Sequence, residues 1–118
     1  MTPKQVAHRY FDGLSSKDMS AVPYAANAIL WAPLGPDSLD KPINGRKAIV
    51  AFFENVFPIL EGVEVKNLLA EGEWVSGRAL ITLCQPPGAV LRVCDVFHIV
   101  DGQITEQENH YDPRPALG

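Results

Sequence analysis

Two strand-like runs joined by Asp101-Gly102 constrain the fold of this 118-residue chain more than any other feature. The first run, residues 90–100, is dominated by β-branched and aromatic residues, which favour strands. An Asp-Gly pair between two such runs is the strongest short-range signal for a β-hairpin. The chain then returns through residues 103–112. The sequence therefore predicts an antiparallel hairpin over residues 90–112.

One carboxylate interrupts the apolar face of the first of these strands. Side chains alternate along a strand, so one face carries Leu91, Val93, Asp95, Phe97 and Ile99. All but the aspartate are apolar. A carboxylate on an apolar face is paired, neutralised or functional. Asp95 is therefore the first candidate functional residue.

The rest of the chain predicts helices early and strands late. Apolar residues at helical spacing or in alternation, together with Pro and Gly breaks, define these elements. In chain order they are a helix over 3–14, a shorter helix over 18–25 capped by Asp18, a strand over 28–32, a helix over 48–57, and strands over 63–69 and 74–84. The order predicts an α+β fold, with helices packed on one side of a mainly antiparallel sheet. We expect one domain over residues 1–118.

Charge and cysteine content limit the classes of partner and compartment. The net charge of -4 argues against nucleic acid and anionic membranes as partners. No run is apolar enough to span a bilayer, and the N-terminus lacks the apolar core of a signal peptide. Cys84 and Cys94 are expected to be reduced, and no metal-ligand spacing links them to a histidine. We expect a cytoplasmic protein without a metal or a cofactor.

The chain resembles the superfamily of nuclear transport factor 2, ketosteroid isomerase and SnoaL-type polyketide cyclases. The resemblance runs through nearly the whole chain, and the segments that carry it are Arg9-Tyr10, Asp18, Tyr24-Ala25, residues 45–53, residues 93–97 and residues 101–104. It implies a cone-shaped barrel, in which a strongly curved sheet wraps a long N-terminal helix beside two further helices. It also implies a pocket at the open end of the barrel.

The most similar site is that of ketosteroid isomerase. By this resemblance, Tyr10 corresponds to an oxyanion-hole tyrosine and Asp95 to a protonated aspartic acid. Two O–H donors that meet at one oxygen stabilise negative charge as it develops there. Ala32 stands where these isomerases carry the aspartate that moves the proton, and alanine cannot replace it.

A set of neighbouring side chains is expected to contact the ligand around Tyr10 and Asp95. These are Leu14, Tyr24, Trp31, Ala32, Phe53, Arg78, Phe97, Asn109 and Tyr111. Limonene-epoxide hydrolases, which are also similar, use an aspartate–arginine–aspartate set. Arg78 matches that arginine, but Leu80 and Asn109 stand at the positions of the carboxylates.

The environment of Asp95 stays open at this point. If Cys84 lies opposite Ala89, then Arg78 lies opposite Asp95 and the two form a structural ion pair. However, alternation places Arg78 on the less apolar face of its strand. Either Arg78 faces a polar pocket, or the apolar face is the core and the register differs.

The register of the last hairpin is also open. A clean two-residue turn pairs Asp95 with Glu108, whereas the resemblance turns Gln107, Asn109 and Tyr111 towards the pocket. A one-residue slip in register reverses every side chain, and a bulge beside the turn produces such a slip. We favour the bulge, because burying the glutamates of this strand without cations is costly.

Three functional readings remain. The first is a cofactor-independent, isomerase- or cyclase-like protein for an apolar carbonyl or polyketide-like compound. The second is a non-catalytic ligand-binding or dimerisation domain, and the third is an epoxide-hydrolase-like enzyme with an altered site. We also expect a homodimer, because an apolar outer sheet face is rarely left in water. The side chains assigned to that face are Val75, Ala79, Ile81, Leu83, Cys94, Val96 and Val100.

Overall fold

The computed structural model describes residues 1–118 and has two α-helices beside a six-stranded sheet. The α-helices are α1 (Pro3–Ser16) and α2 (Arg46–Val56), and short 3-10 helices follow at Phe57–Ile59 and Arg114–Leu117. The strands are β1 (Tyr24–Trp31), β2 (Ile43–Asn44), β3 (Leu60–Glu71), β4 (Trp74–Leu83), β5 (Val90–Val100) and β6 (Gln103–His110). Neither α-helix is long and apolar enough to cross a membrane.

The sheet is curved and mainly antiparallel, which confirms the predicted α+β fold. Its strand order is β2-β1-β6-β5-β4-β3, and only the β1–β6 pair is parallel. Because β2 and β3 lie at opposite edges, the sheet does not close into a complete barrel. Helix α1 packs against β3, β4 and β5 and fills the concave side.

The first turn of α1 is fixed by local hydrogen bonds. Thr2 and Gln5 form a reciprocal capping box, with Pro3 at the first helical position. One face of the helix then buries Val6, Tyr10, Phe11 and Leu14. The helix thereby delivers Tyr10 into the concave side of the sheet, as its periodicity predicts.

The predicted second helix is absent. Residues 17–23 form turns, and β1 begins at Tyr24, inside the range predicted to be helical. Pro23 lacks an N–H, so only a few residues after Asp18 remain available for a helix. Asp18 Oδ1 instead accepts a hydrogen bond from the Ser20 backbone N–H at 3.0 Å, which closes a turn. The fold therefore has one further α-helix where two were predicted.

The last hairpin contains the predicted bulge. Val100 pairs with Gln103, but the register shifts between His98 and Ile99, and Thr105 becomes the extra residue. The Thr105 hydroxyl donates to the His98 carbonyl oxygen at 3.1 Å. Beyond the bulge Asp95 pairs with Asn109, so Gln107 and Asn109 face the interior.

The β4–β5 register differs from the one that would pair Arg78 with Asp95. Gly77 lies opposite Asp95, and Arg78 lies opposite Cys94 on the outer face. The Arg78 side chain is exposed and its Nε donates to Asn67 Oδ1 at 2.8 Å. The loop after Leu83 is one residue longer than expected, because Leu83 and not Cys84 bonds to Ala89.

The prediction of which residues form the outer sheet face, and so support a homodimer, is therefore partly wrong. The predicted outer residues Val75, Ala79, Ile81 and Leu83 are core residues on the inner face. The outer face of β4 carries Trp74, Ser76, Arg78, Leu80 and Thr82 instead. Dimerisation stays a prediction, and its apolar surface is smaller than the sequence suggested.

Gly77 permits close packing between α1 and the sheet. A Cβ at this position would lie 2.5 Å from Leu68 Cδ2 and 2.9 Å from Phe11 Cε2. We expect Gly77→Ala to lower the free energy of unfolding by about 1–3 kcal/mol, because the added methyl group overpacks the core. Urea unfolding measures the change.

The matched control is Gly62→Ala in β3, where the nearest atom to a new Cβ is Thr82 Cβ at 3.9 Å. This variant should unfold close to the wild type. Equal stability of Gly77→Ala and wild type would contradict the close approach of α1 to β4.

Candidate active site

A cavity opens between α1, α2 and the concave side of the sheet. About 570 Å³ of space, much of it shared with open solvent at the mouth, lies between these walls, and 13 of the 15 lining residues are hydrophobic. The lining consists of Tyr10, Leu14, Leu34, Phe52, Phe53, Val56, Ile59, Leu60, Ile81, Leu83, Leu91, Val93, Asp95, Asn109 and Tyr111. The cavity is thus apolar, with a few polar groups supplied by α1, β5, β6 and the segment after β6.

Three phenylalanine rings fix the ring of Tyr10. Its centroid lies 5.0 Å from that of Phe11, 5.4 Å from that of Phe53 and 5.4 Å from that of Phe97, all in edge-to-face geometry. Such pairs are stabilising and directional. The phenol is therefore held by contacts from both helices and from β5.

Asp95 and Asn109 form a buried pair across the last hairpin. Asp95 is 2% exposed, and Asn109 Nδ2 donates to Asp95 Oδ1 at 2.7 Å. The other carboxyl oxygen makes no hydrogen bond within the chain. Asp95 therefore has one oxygen held by the amide and one free for a ligand.

Burial changes the ionisation of these groups. It raises the pKa of Asp95 to about 7, and the hydrogen bond from Asn109 only partly opposes this. The pKa of Tyr10 is raised well above its ordinary value, first by burial and then by the negative charge of Asp95. Burial likewise raises the pKa of Tyr111 to about 12. Near neutral pH the site offers phenol hydroxyls and a carboxyl group that is half protonated.

Tyr24 and Gln107 form a second buried pair behind the cavity. The Tyr24 hydroxyl donates to Gln107 Oε1 at 2.5 Å. Both residues have no exposed surface. The Nε2 group of Gln107 has no hydrogen-bond partner in the chain. It is the only buried side-chain nitrogen or oxygen that lacks a hydrogen-bond partner.

Six of the eleven residues predicted to form the site line the cavity. They are Tyr10, Leu14, Phe53, Asp95, Asn109 and Tyr111. Phe97 and Tyr24 are buried behind it, where Phe97 supports the Tyr10 ring. Ala32 is 1% exposed at the end of β1 and is not part of the lining.

Two predicted ligand contacts lie outside the cavity. Trp31 points to the other side of β1 from buried Leu30, and its Nε1 donates to Glu106 Oε2 at 3.3 Å. Arg78 is on the outer sheet face, because β4 alternates and the apolar side forms the core. Strand alternation places both side chains on the face of the sheet opposite the cavity.

Several lining residues were missed. Leu91 and Val93 share the face of Asp95 on β5, and Ile81 and Leu83 belong to the apolar face of β4. Strand alternation could therefore have identified all four as lining residues. Leu34 lies in the loop after β1, where no periodicity marks it. No group of three or more His, Cys, Asp or Glu side chains is arranged to hold a metal ion.

Sequence comparison agrees with this architecture. The family model for the SnoaL-like domain matches residues 7–107, which is most of the chain. The chain belongs to the SnoaL-like family. This places it in the NTF2-like superfamily that the sequence resembles. No curated protein matches this SnoaL-like chain in sequence.

Solved structures share the fold of this SnoaL-like chain at low sequence identity. An NTF2-like protein of unknown function from Cytophaga hutchinsonii has a TM-score of 0.81 at 18% identity, covering 100% of this chain and 96% of its own. IdmH from Streptomyces antibioticus, a candidate polyketide cyclase, has a TM-score of 0.80 at 14% identity, covering 99% and 96%. An LEH-like epoxide hydrolase from M. tuberculosis has a TM-score of 0.75 at 18% identity, covering 98% and 86%. These similarities establish the fold.

The raised pKa of Asp95 predicts an unusual pH dependence of stability. An unfolded aspartate titrates near pH 3.9, whereas Asp95 titrates at about 7 in the folded protein. Between these values the folded chain holds a proton that the unfolded chain releases. The contribution of Asp95 therefore lowers the free energy of unfolding by about 1.4 kcal/mol for each pH unit as pH rises, and levels off above pH 7.

The comparison of Asp95→Asn with wild type isolates this contribution. Urea unfolding between about pH 5 and about pH 8 should show that the variant loses the decline that wild type shows. Glu54→Gln, which removes an exposed carboxylate from α2, should keep the decline. Parallel stability curves for wild type and Asp95→Asn would contradict the buried, protonated carboxyl group.

Proposed function

We propose that this protein binds a small, largely apolar carbonyl compound in the cavity and holds its oxygen with the hydroxyl groups of Tyr10 and protonated Asp95. The observation that carries the proposal is the buried Asp95 carboxyl, with a pKa of about 7, in a cavity whose walls are mostly hydrophobic. A carboxylic acid kept neutral by its surroundings is a hydrogen-bond donor.

The hydrogen-bonding capacity of the site favours an acceptor ligand. Asn109 already satisfies one oxygen of Asp95, so the proton is directed from the other oxygen. Tyr10 stays protonated because burial raises its pKa, and Asp95 raises that pKa further whenever it is ionised. A ketone or enolate oxygen, which can only accept, suits two such donors. The same donors stabilise negative charge if the carbonyl compound enolises.

The cavity walls favour an apolar body for the ligand. Aromatic and aliphatic side chains from both helices and from the sheet surround the polar end, and no cationic side chain lines the cavity. An anionic ligand would be buried without a cation, which is costly. A neutral cyclic or polyketide-like compound with one oxygen at the polar end fits these walls.

The second candidate function is ligand binding without catalysis. Enolisation requires a base that removes a proton from carbon, and Ala32 provides none. Asp95 is the only carboxylate that lines the cavity, and it is assigned here as the donor. This observation favours a binding role, or catalysis limited to carbonyl polarisation.

The epoxide-hydrolase-like alternative lacks support from the geometry. Arg78 is exposed on the outer face and bonds to Asn67, so it does not contact a ligand in the cavity. Leu80 lies on the same outer face. The arginine and two carboxylates of that mechanism are therefore not assembled.

We expect the affinity for 2-acetylnaphthalene, an apolar aromatic ketone, to depend on the ionisation of Asp95. Only the protonated acid donates to the ketone, so affinity should fall above pH 7, approaching about tenfold per pH unit. In Asp95→Asn the affinity should not change with pH, and in Asp95→Leu it should fall about 2- to 10-fold at pH values below 7. Fluorescence titration measures the affinities.

Two controls separate hydrogen bonding from apolar contact. 2-Ethylnaphthalene has the same ring and no oxygen, so its affinity should be independent of pH and of the residue at position 95. Arg78→Ala, on the outer face, should bind the ketone as wild type does. Equal pH profiles for the two ligands would refute the proposed donor role of Asp95.

The missing base leads to a prediction about catalysis. Wild type should convert cyclohex-3-enone to its conjugated isomer very slowly or not at all, because no group takes the proton. Ala32 directly follows β1 and is buried, two residues before cavity-lining Leu34. Ala32→Asp should therefore raise the rate, since general-base catalysis is typically worth about 10²–10⁴-fold.

The absorbance of the conjugated ketone reports the rate, and Ala32→Asn is the matched control without a base. A folded Ala32→Asp variant that binds the ketone and shows no more activity than Ala32→Asn would rule out an isomerase-like geometry. Rapid turnover by wild type would show that another residue supplies the base.

A further inference from the structure

Gln107 has an unused hydrogen-bond donor in the interior of the protein. Its side chain is fully buried on the inner face of β6, and its Oε1 accepts a hydrogen bond from Tyr24. Its Nε2 has no partner. A buried amide N–H without a partner costs about 1–3 kcal/mol, so such groups in native proteins call for a specific explanation.

Gln107 and Tyr10 lie in the same part of the interior, because Gln107 pairs with Phe97 across β5 and β6 and the Phe97 ring packs against the Tyr10 ring, with 5.4 Å between ring centroids. Gln107 also lowers the pKa of Tyr10, against the larger effect of burial, as expected for an amide donor that faces the phenol oxygen. The Tyr24 hydroxyl fixes the opposite end of the amide. With Oε1 occupied, Nε2 is the end of Gln107 that remains for Tyr10.

Asn109 shows the same arrangement two residues further along β6. Gln107 and Asn109 share the inner face, because side chains alternate along the strand. Asn109 donates to Asp95 and leaves the other carboxyl oxygen for the ligand. Each of the two buried amides of β6 thus lies near one of the two hydroxyl donors of the site.

We propose that Gln107 is a positioning residue, which donates to the Tyr10 oxygen and thereby directs the Tyr10 hydroxyl proton into the cavity. A hydroxyl whose oxygen accepts from the protein is left with its proton for the ligand. The relay runs from Tyr24 to Gln107, then to Tyr10 and the ligand oxygen. Only the last step, from Tyr10 to the ligand oxygen, rests on the proposed function.

The opposite orientation of the amide has a different consequence. If Oε1 faced Tyr10, the Tyr10 hydroxyl would donate to Gln107, and its proton would not be available to the ligand. Removing Gln107 would then release the proton and strengthen ketone binding. The sign of the effect therefore distinguishes the two orientations.

The first test needs no ligand. Proton–nitrogen correlation spectra resolve the side-chain NH₂ of Gln107, which is identified by its loss in Gln107→Glu. We expect one proton to resonate downfield, as in a hydrogen bond, and to move upfield in Tyr10→Phe. An unchanged Gln107 resonance in Tyr10→Phe would overturn the proposal.

The second test is a double-mutant cycle on the affinity for 2-acetylnaphthalene, using wild type, Tyr10→Phe, Gln107→Met and the double variant. Methionine has the length of glutamine and no donor. Gln107→Met should weaken binding about 3- to 10-fold when Tyr10 is present and leave it unchanged in Tyr10→Phe. Gln103→Met, at an exposed position of the same strand, should bind as wild type does.

The outcomes separate a positioning role from a packing role. Equal loss in both backgrounds would show that Gln107 only supports the fold, and tighter binding by Gln107→Met would show the opposite amide orientation. Either result overturns the proposal. If wild type does not bind the ketone, the proposed function fails, and the resonance of Gln107 in Tyr10→Phe alone decides the role of Gln107.

Discussion

The bulge at Thr105 is the constraint on which the site depends. A regular hairpin would pair Asp95 with Glu108 and would turn Gln107 and Asn109 outward. The one-residue shift between His98 and Ile99 reverses this, and the Thr105 hydroxyl stabilises it by donating to the His98 carbonyl. A bulge reverses the orientation of every later side chain. Two neutral amides thereby enter the interior, and glutamates remain at the surface.

Apolar packing then determines the chemistry of the polar groups. Gly77 lies opposite Asp95 and lets Phe11 approach the sheet, so α1 covers this part of the strand. The covered carboxyl group has no cation beside it, and burial is the largest cause of its raised pKa. The phenylalanines around Tyr10 exclude water from the phenol in the same way. Packing and acid–base properties are thus consequences of the same contacts.

Alternation and periodicity predicted the parts of the fold that they directly encode. They placed Tyr10 and Leu14 on the buried face of α1, and Asp95 among apolar residues of β5. They did not predict that β1 starts at Tyr24, because helical spacing after Asp18 concealed the effect of Pro23. They did not determine which residue of β5 lies opposite Arg78, since that register depends on the length of the loop after β4, which no local pattern fixes.

Long-range register was the main quantity that the sequence left open. The sequence favoured the bulged register of the last hairpin, because the regular register would bury Glu106 and Glu108 without cations, at a large cost in free energy. No comparable term identified Gln107 as a donor beside Tyr10, since a buried amide is recognisable only once its neighbours are known. The role of Ala32 likewise depends on the distance from β1 to the ligand.

The ionisation of Asp95 is the most direct test of this account. The carboxyl carbon of Asp95 can be followed by carbon NMR as a function of pH, with Asp95→Asn used to assign the signal. The account predicts a titration midpoint at about 7 in the folded protein. A midpoint near pH 3.9, the value of an unburied aspartate, would show that Asp95 is ionised at neutral pH and would contradict its role as a donor.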